Sequence, residues 1–143
     1  MPDIKHSVEI DASPEAVWPL ISTPEGFTKW WAADVVTEPL GKVGVGFFNR
    51  ETVFHLRSED EDVPHLARWS VQADGEWDGT NLLFECSGDA GGCVLQFTHA
   101  DWIDETDYFI SCNTTWGELM YRLKAAAEGK PRGPLFLAAT VAY

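Results

Sequence analysis

Apolar positions in this chain follow two different periods, and the changes between them mark out the elements. From Ile4 to Asp11 apolar and polar residues alternate loosely, which predicts a strand. Ser13-Pro14-Glu15 and Thr23-Pro24-Glu25 then repeat one pattern: a hydroxyl residue suited to an N-cap, a proline at the first helical position and a glutamate in the first turn. Two abutting short helices are therefore expected, about Pro14 to Ser22 and about Pro24 to Trp31. Pro19 falls inside the first, where it removes the bond to the Glu15 carbonyl at a cost of about 3 kcal/mol. That helix should be kinked and held mainly by packing of Val17, Leu20 and Ile21.

Strand-like segments follow at Val35 to Glu38, Val43 to Asn49, Glu51 to Arg57, Leu66 to Gln72, Thr80 to Ser87 and Cys93 to His99. Turn signals separate most of them: Pro39-Leu40-Gly41, the acidic run Ser58 to Asp62, Asp74-Gly75, Asp78-Gly79 and Gly88 to Gly92. The order reads as an antiparallel meander. Parity puts Phe47, Phe54, Trp69, Val71, Leu82, Phe84, Leu95 and Phe97 on one face and Arg57, Arg68, Glu85 and Gln96 on the other.

The period changes again between about Thr106 and Glu128. Phe109, Cys112, Trp116, Leu119, Met120, Leu123 and Ala127 recur at three-and-four spacing, the stripe of a long amphipathic helix that Gly129 would stop. Residues 130–143 form a Pro/Gly connector and an apolar tail, PLFLAATVAY. A length of 143 residues fits one domain over 1–143, with its core in 4–129, and allows an ordinary core without staples.

Composition and charge narrow the functional classes. Ten basic against 23 acidic residues give a formal charge of −13, which repels phosphate backbones and anionic lipid surfaces. No nucleic acid and no membrane partner is expected. Three cysteines without ligand spacing and an N-terminus without an apolar export core point to a reducing cytoplasm. Seven tryptophans are heavy usage, and they point to an aromatic-lined interior. A curved antiparallel sheet wrapping a long C-terminal helix, with the short helix pair closing the gap, would leave a space between sheet and helix.

Three stretches carry a family resemblance: ASPEAVWPLISTPEGFTKWW near the start, GTNLLFECSGDAGGCVLQFTHADW from Gly79 to Trp102, and TTWGELMYRLKAAAEG before the tail. In these the chain resembles the START-like (SRPBCC) superfamily, in the branch similar to the activator of heat-shock-protein-ninety ATPase. The resemblance covers Ile4 to Gly129 and implies an α+β helix-grip fold: a six- to seven-stranded antiparallel sheet around the C-terminal helix, enclosing an elongated cavity. Two positions depart from the family pattern. Gly41-Lys42-Val43-Gly44 stands where a paired glycine is usual, and Thr115 stands where a glycine usually precedes the helix tryptophan.

On this reading Trp31, Phe47, Phe54, Trp69, Phe84, Phe97, Trp116 and Met120 are the expected ligand-binding wall. Trp30, Trp31, Trp69 and Trp116 each read alone as core; together, on inward positions, they point to a pocket for a flat or greasy ligand. His99 shares the parity of Leu95 and Phe97 and is the one candidate acid or base, against a competing reading as a structural histidine; no nucleophile accompanies it. Ser58 to Asp62 with His65 lacks the alternating ligands of a calcium loop, so a solvated loop and no metal are expected. No motif implies a cofactor.

The function expected from the sequence is binding of a small hydrophobic molecule between sheet and helix. A cyclase or hydrolase using the same pocket is an alternative, and so is a module acting on a chaperone ATPase, which the resemblance alone suggests. The tail could pack on its own domain or, as an exposed apolar end, favour a homodimer.

Overall fold

Ser13 Oγ accepts from the backbone N–H of Ala16 at 3.2 Å, and Thr23 Oγ1 accepts from that of Gly26 at 2.9 Å. Each hydroxyl satisfies a donor that a helix start leaves unpaired. The computed structural model, which describes residues 1–137, accordingly has a strand β1 at Ile4–Ile10, a helix α1 at Pro14–Ser22 and a helix α2 at Pro24–Phe27. The second helix is shorter than its pattern predicts. Trp30, Trp31 and Ala32 are all buried, whereas successive helical positions point about 100° apart, so a continued helix would turn one of them to solvent. The regular helix instead loosens into successive turns: the N–H groups of Lys29 and Trp30 bond carbonyls three residues back, and that of Trp31 bonds the Phe27 carbonyl at 2.9 Å.

Contact between the two helices depends on Gly26. A Cβ there would fall 1.9 Å from the Pro19 carbonyl oxygen and 2.7 Å from the Leu20 Cα. The end of α1 is capped by two indoles, one from the turn after α2 and one from a strand of the sheet. The Trp30 indole N–H donates to the Leu20 carbonyl and the Trp69 indole N–H to the Ile21 carbonyl, each at 2.9 Å. These carbonyls would otherwise be buried without partners.

The remaining strands are β2 Asp34–Glu38, β3 Lys42–Phe47, β4 Thr52–Asp62, β5 Leu66–Gln72, β6 Asn81–Asp89 and β7 Gly92–Ala100. They form one antiparallel seven-stranded sheet in the order β1-β7-β6-β5-β4-β3-β2. The inward set read from parity is buried throughout, while Arg57, Glu85 and Gln96 are exposed.

One segment departs from its expected conformation. Ser58 to Asp62, expected as a solvated loop, continues β4. Its carboxylates find partners on the outer face: Glu59 accepts from Arg57 at 2.9 Å and Ser70 at 2.7 Å, and Asp60 accepts from Arg68 at 3.0 Å. Like charges in succession are tolerable in a strand when neighbouring strands supply the counter-charge. His65 donates from Nδ1 to the Cys86 carbonyl at 2.8 Å, which commits that nitrogen to the sheet.

The long helix α3 spans Asp107–Ala127 and is capped by Thr106 Oγ1, which accepts from the Phe109 N–H at 3.2 Å. Its stripe Phe109, Cys112, Trp116, Leu119, Met120 and Leu123 is buried in the grip of the sheet, in one continuous cluster with the inward strand residues. Gly129, at φ +80°, ends it. Beyond the connector, Leu135 and Phe136 pack back on the fold: their N–H groups bond the carbonyls of Trp30 and Trp31, and the Phe136 carbonyl accepts from Ala33. Arg122 braces the connector, donating to the Gly133 carbonyl at 3.1 Å and to Glu118 at 3.1 Å. Of the two expectations for the tail, self-packing is seen at Leu135 and Phe136, while Leu137 is exposed and 138–143 lies outside the described residues. Among the described residues no helix is long and apolar enough to cross a membrane.

Candidate functional site

A cavity of about 350 Å³ opens between the first half of α3 and the β3–β4 end of the sheet. Phe47 and Phe54 reach it from the sheet because they sit on the inward parity of β3 and β4. Trp31 enters from the turn after α2, and Trp116 and Leu119 come from the buried stripe of α3. Phe136 closes one side from the tail, its ring edge-on to Phe47 at 5.2 Å. The rim is more polar: Thr52, Tyr108, Ser111 and Thr115 line it and are half-buried or exposed.

Trp77 forms the centre of the wall. It stacks on Phe54 at 4.1 Å with the planes 10° apart, and on Trp116 at 5.8 Å and 21°. It arises from the β5–β6 connection, which the sequence reading treats only as two turns. Gly75 and Gly79, at φ +88° and +80°, bracket it and let the loop fold inward, and Asp78 Oδ1 accepts from the Ala73 N–H at 3.2 Å. Although its loop neighbours are exposed, Trp77 is 5% exposed. A lone tryptophan inside the polar run DGEWDGT was the signal available: so large an apolar ring has little reason to stand in water.

Of the eight expected wall residues, the structure brings four to the cavity: Trp31, Phe47, Phe54 and Trp116. Trp69, Phe84, Phe97 and Met120 are buried elsewhere. Trp69 is committed to the end of α1, and Phe84 and Phe97 pack against one another at a tilt behind Trp116. Parity alone could not separate these groups, because one inward face serves both the filled and the hollow parts of the interior. Trp77, Tyr108, Cys112, Leu119 and Phe136 are among the lining residues it missed.

His99 lies behind the wall, fully buried, with both ring nitrogens engaged. The Trp116 indole N–H donates to Nδ1 at 3.1 Å, so the proton of the neutral ring is on Nε2, which donates to Thr80 Oγ1 at 2.9 Å. Thr80 in turn donates to the Trp77 carbonyl at 2.6 Å. Burial pushes His99 down to about 3, so it is neutral at physiological pH. The relay links two walls of the cavity, and it leaves no nitrogen free to exchange a proton with a ligand. Burial also raises the Cys112 thiol and the Tyr108 phenol, keeping both protonated. The cavity interior is thus uncharged.

A second, shallower depression of about 790 Å³ lies on the outer face of β3 and β4. Its walls are charged: Glu38 accepts from His55 Nδ1 at 2.8 Å, and Arg50 pairs with Asp34 beside it. Nothing there encloses an apolar ligand.

Residues 1–128 match the family described as polyketide cyclase / dehydrase and lipid transport. Among solved structures, the Aha1 dimer from Colwellia psychrerythraea is 26% identical, with a TM-score of 0.78 over 91% of this chain and 98% of that one. Protein SSP2350 from Staphylococcus saprophyticus superposes with a TM-score of 0.73 at 14% identity, over 96% of this chain and 99% of that one. CalU16 from Micromonospora echinospora does so at 0.72 and 16%, over 93% and 69%. No curated protein matches the chain significantly. The helix-grip fold and the match over nearly its whole length together place the chain in the polyketide cyclase / dehydrase and lipid transport family, of the START-like (SRPBCC) superfamily.

Proposed function

We propose that this protein binds a small, flat, uncharged hydrophobic molecule in the cavity between α3 and the sheet. The observation that carries the reading is the lining itself: Trp31, Phe54, Trp77 and Trp116 border about 350 Å³ of space with aromatic surface. That volume is at the low end of the roughly 300–1,000 Å³ typical of ligand sites, which favours a compact ring system over a long chain. Apolar burial, at about 25 cal/mol per Å², would supply the affinity, and the rim hydroxyls would orient a polar end at the mouth. A cyclase or hydrolase reading that uses His99 loses its acid, because the imidazole is neutral and both its nitrogens are engaged. Titrating the protein with a panel of uncharged aromatics and short-chain lipids, read by tryptophan fluorescence, tests the proposal. Saturable quenching by compact aromatics is expected; a panel without response overturns it.

A second reading follows from the 26% identity to the Colwellia Aha1, whose structure is that of a dimer. On this reading the chain pairs with a second copy and acts on a chaperone ATPase. Ile110 and Tyr121, exposed on α3, would be available for such contacts. Sedimentation over a concentration range and a chaperone ATPase assay test it, and a monomer without effect on the ATPase removes it.

A further inference from the structure

We propose that Cys86 and Cys93 are a modification site: a dithiol that peroxide closes to a disulfide across the β6–β7 hairpin. The register pairs Cys86 with Leu95 and Gly88 with Cys93, so the two cysteines lie diagonally on the same inward face. Diagonal neighbours ordinarily stand roughly 7–8 Å apart, beyond the usual reach of a bridge. Here the sulfurs are 3.0 Å apart.

Two local features draw them together. At Gly88 the strands approach so closely that a Cβ would fall 2.6 Å from the Cys93 Cα and 2.2 Å from the Gly92 carbonyl oxygen. On the other side, the turn before β5 holds the Cys86 backbone by a reciprocal pair of bonds with His65: the Cys86 N–H donates to the His65 carbonyl, and the Cys86 carbonyl accepts from His65 Nδ1, both at 2.8 Å. The two thiols are hydrogen-bonded to each other, with Cys86 the donor. A bond needs them about 1 Å closer.

Cys93 is 6% exposed and Cys86 1%, so the sulfur that accepts the hydrogen bond is also the one a small oxidant reaches. Its electron pair attacks one peroxide oxygen, the O–O bond breaks, and a Cys93 sulfenic acid and one water result. The Cys86 sulfur then displaces the hydroxyl, which leaves with the Cys86 proton as a second water. Both sulfurs are oxidised by one electron each, and one peroxide is reduced to two waters. Burial and the bond to Cys93 push the Cys86 thiol up to about 12, which makes the closing step slow at neutral pH and faster in alkali. Cys112, on α3 among the cavity residues, is 8% exposed and no less open to peroxide than Cys93, so it controls for the need of an adjacent thiol and not for access.

The test treats the intact protein with graded hydrogen peroxide, alkylates the remaining thiols in denaturant and weighs the product. The expected result is loss of two hydrogens with one alkylated cysteine, fragmentation placing the bridge at Cys86–Cys93 and the alkyl group on Cys112, and recovery of three thiols with dithiothreitol. In Cys93→Ser no internal bridge is expected and Cys86 stays alkylatable. Three alkylatable thiols at doses that already oxidise methionine, or a bridge that includes Cys112 or a second chain, would overturn the proposal.

Discussion

The indole N–H of Trp116 and Nδ1 of His99 are 3.1 Å apart, and this contact couples a cavity wall to a buried imidazole that must remain neutral. An unfolded chain carries no such constraint. Its His99 takes up a proton at the ordinary value near 6.5, whereas in the folded protein protonation waits until about 3. The unfolded state therefore binds more protons between these values. Stability should be flat above pH 6.5 and fall as pH drops through the window, approaching about 1.4 kcal/mol per pH unit once the unfolded histidine is protonated. Urea unfolding at pH 7.5, 6.5 and 5.5 measures this. His99→Gln should start less stable and lose most of the slope in that range, and an unchanged slope would refute the assignment.

Gly26 and Gly117 should respond to alanine in opposite directions. At Gly26 the added methyl meets the Pro19 carbonyl oxygen and the Leu20 Cα, backbone atoms that cannot yield without parting α1 from α2. A loss of about 3 kcal/mol is expected, with a shift in tryptophan emission as the Trp30 and Trp69 caps on α1 loosen. In Gly117→Ala, inside α3, the methyl meets His6 Cε1 at 3.6 Å, an ordinary contact. Helix propensity then governs, and a gain of about 0.5–1 kcal/mol should appear in the thermal midpoint.

The strand order, the paired helix starts and the buried stripe of α3 were legible because each has a local physical signature: alternation, a hydroxyl cap, a three-and-four period. The site was legible only in part. Phe47, Phe54 and Phe84 share one parity, but the first two end at a hollow and the third at filled core, and that difference depends on how far α3 stands from each strand. Trp77 and Phe136 were missed for another reason. They reach the cavity from a loop and a tail, where no periodicity indicates direction, and only their size in a polar or irregular context signalled burial. In the acidic run of β4 the partners Arg57, Ser70 and Arg68 come largely from a neighbouring strand, so the charge density read alone points to a loop.

Phe136 stands on the boundary between tail and cavity. Its ring is 7% exposed and packs on Phe47, while its backbone ties to Trp31 and Ala33. Phe136→Ala should cost about 3 kcal/mol, the usual range for a buried phenylalanine, and widen the opening it covers. Stopped-flow release of a bound aromatic probe should then be faster than from the unaltered protein. Equal release rates would show that the tail does not guard the opening.

Two substitutions separate wall from core. Thr115 is half-buried at the rim of the cavity and Phe84 is fully buried away from it. In Thr115→Phe a ring larger than the threonine side chain points into the opening from a helical position that already faces solvent in part, so the fold should lose less than about 1 kcal/mol. Phe84→Leu removes ring contacts with Phe97 and Trp30 and should cost about 1–2 kcal/mol. Probe binding should show the reverse order: at least tenfold weaker affinity in Thr115→Phe, and a change of less than about twofold in the folded fraction of Phe84→Leu. If Thr115→Phe binds as tightly as the unaltered protein, the ligand lies somewhere other than between α3 and the sheet. If Phe84→Leu loses affinity as well, the aromatic layer behind Trp116 shapes the site and does more than support it.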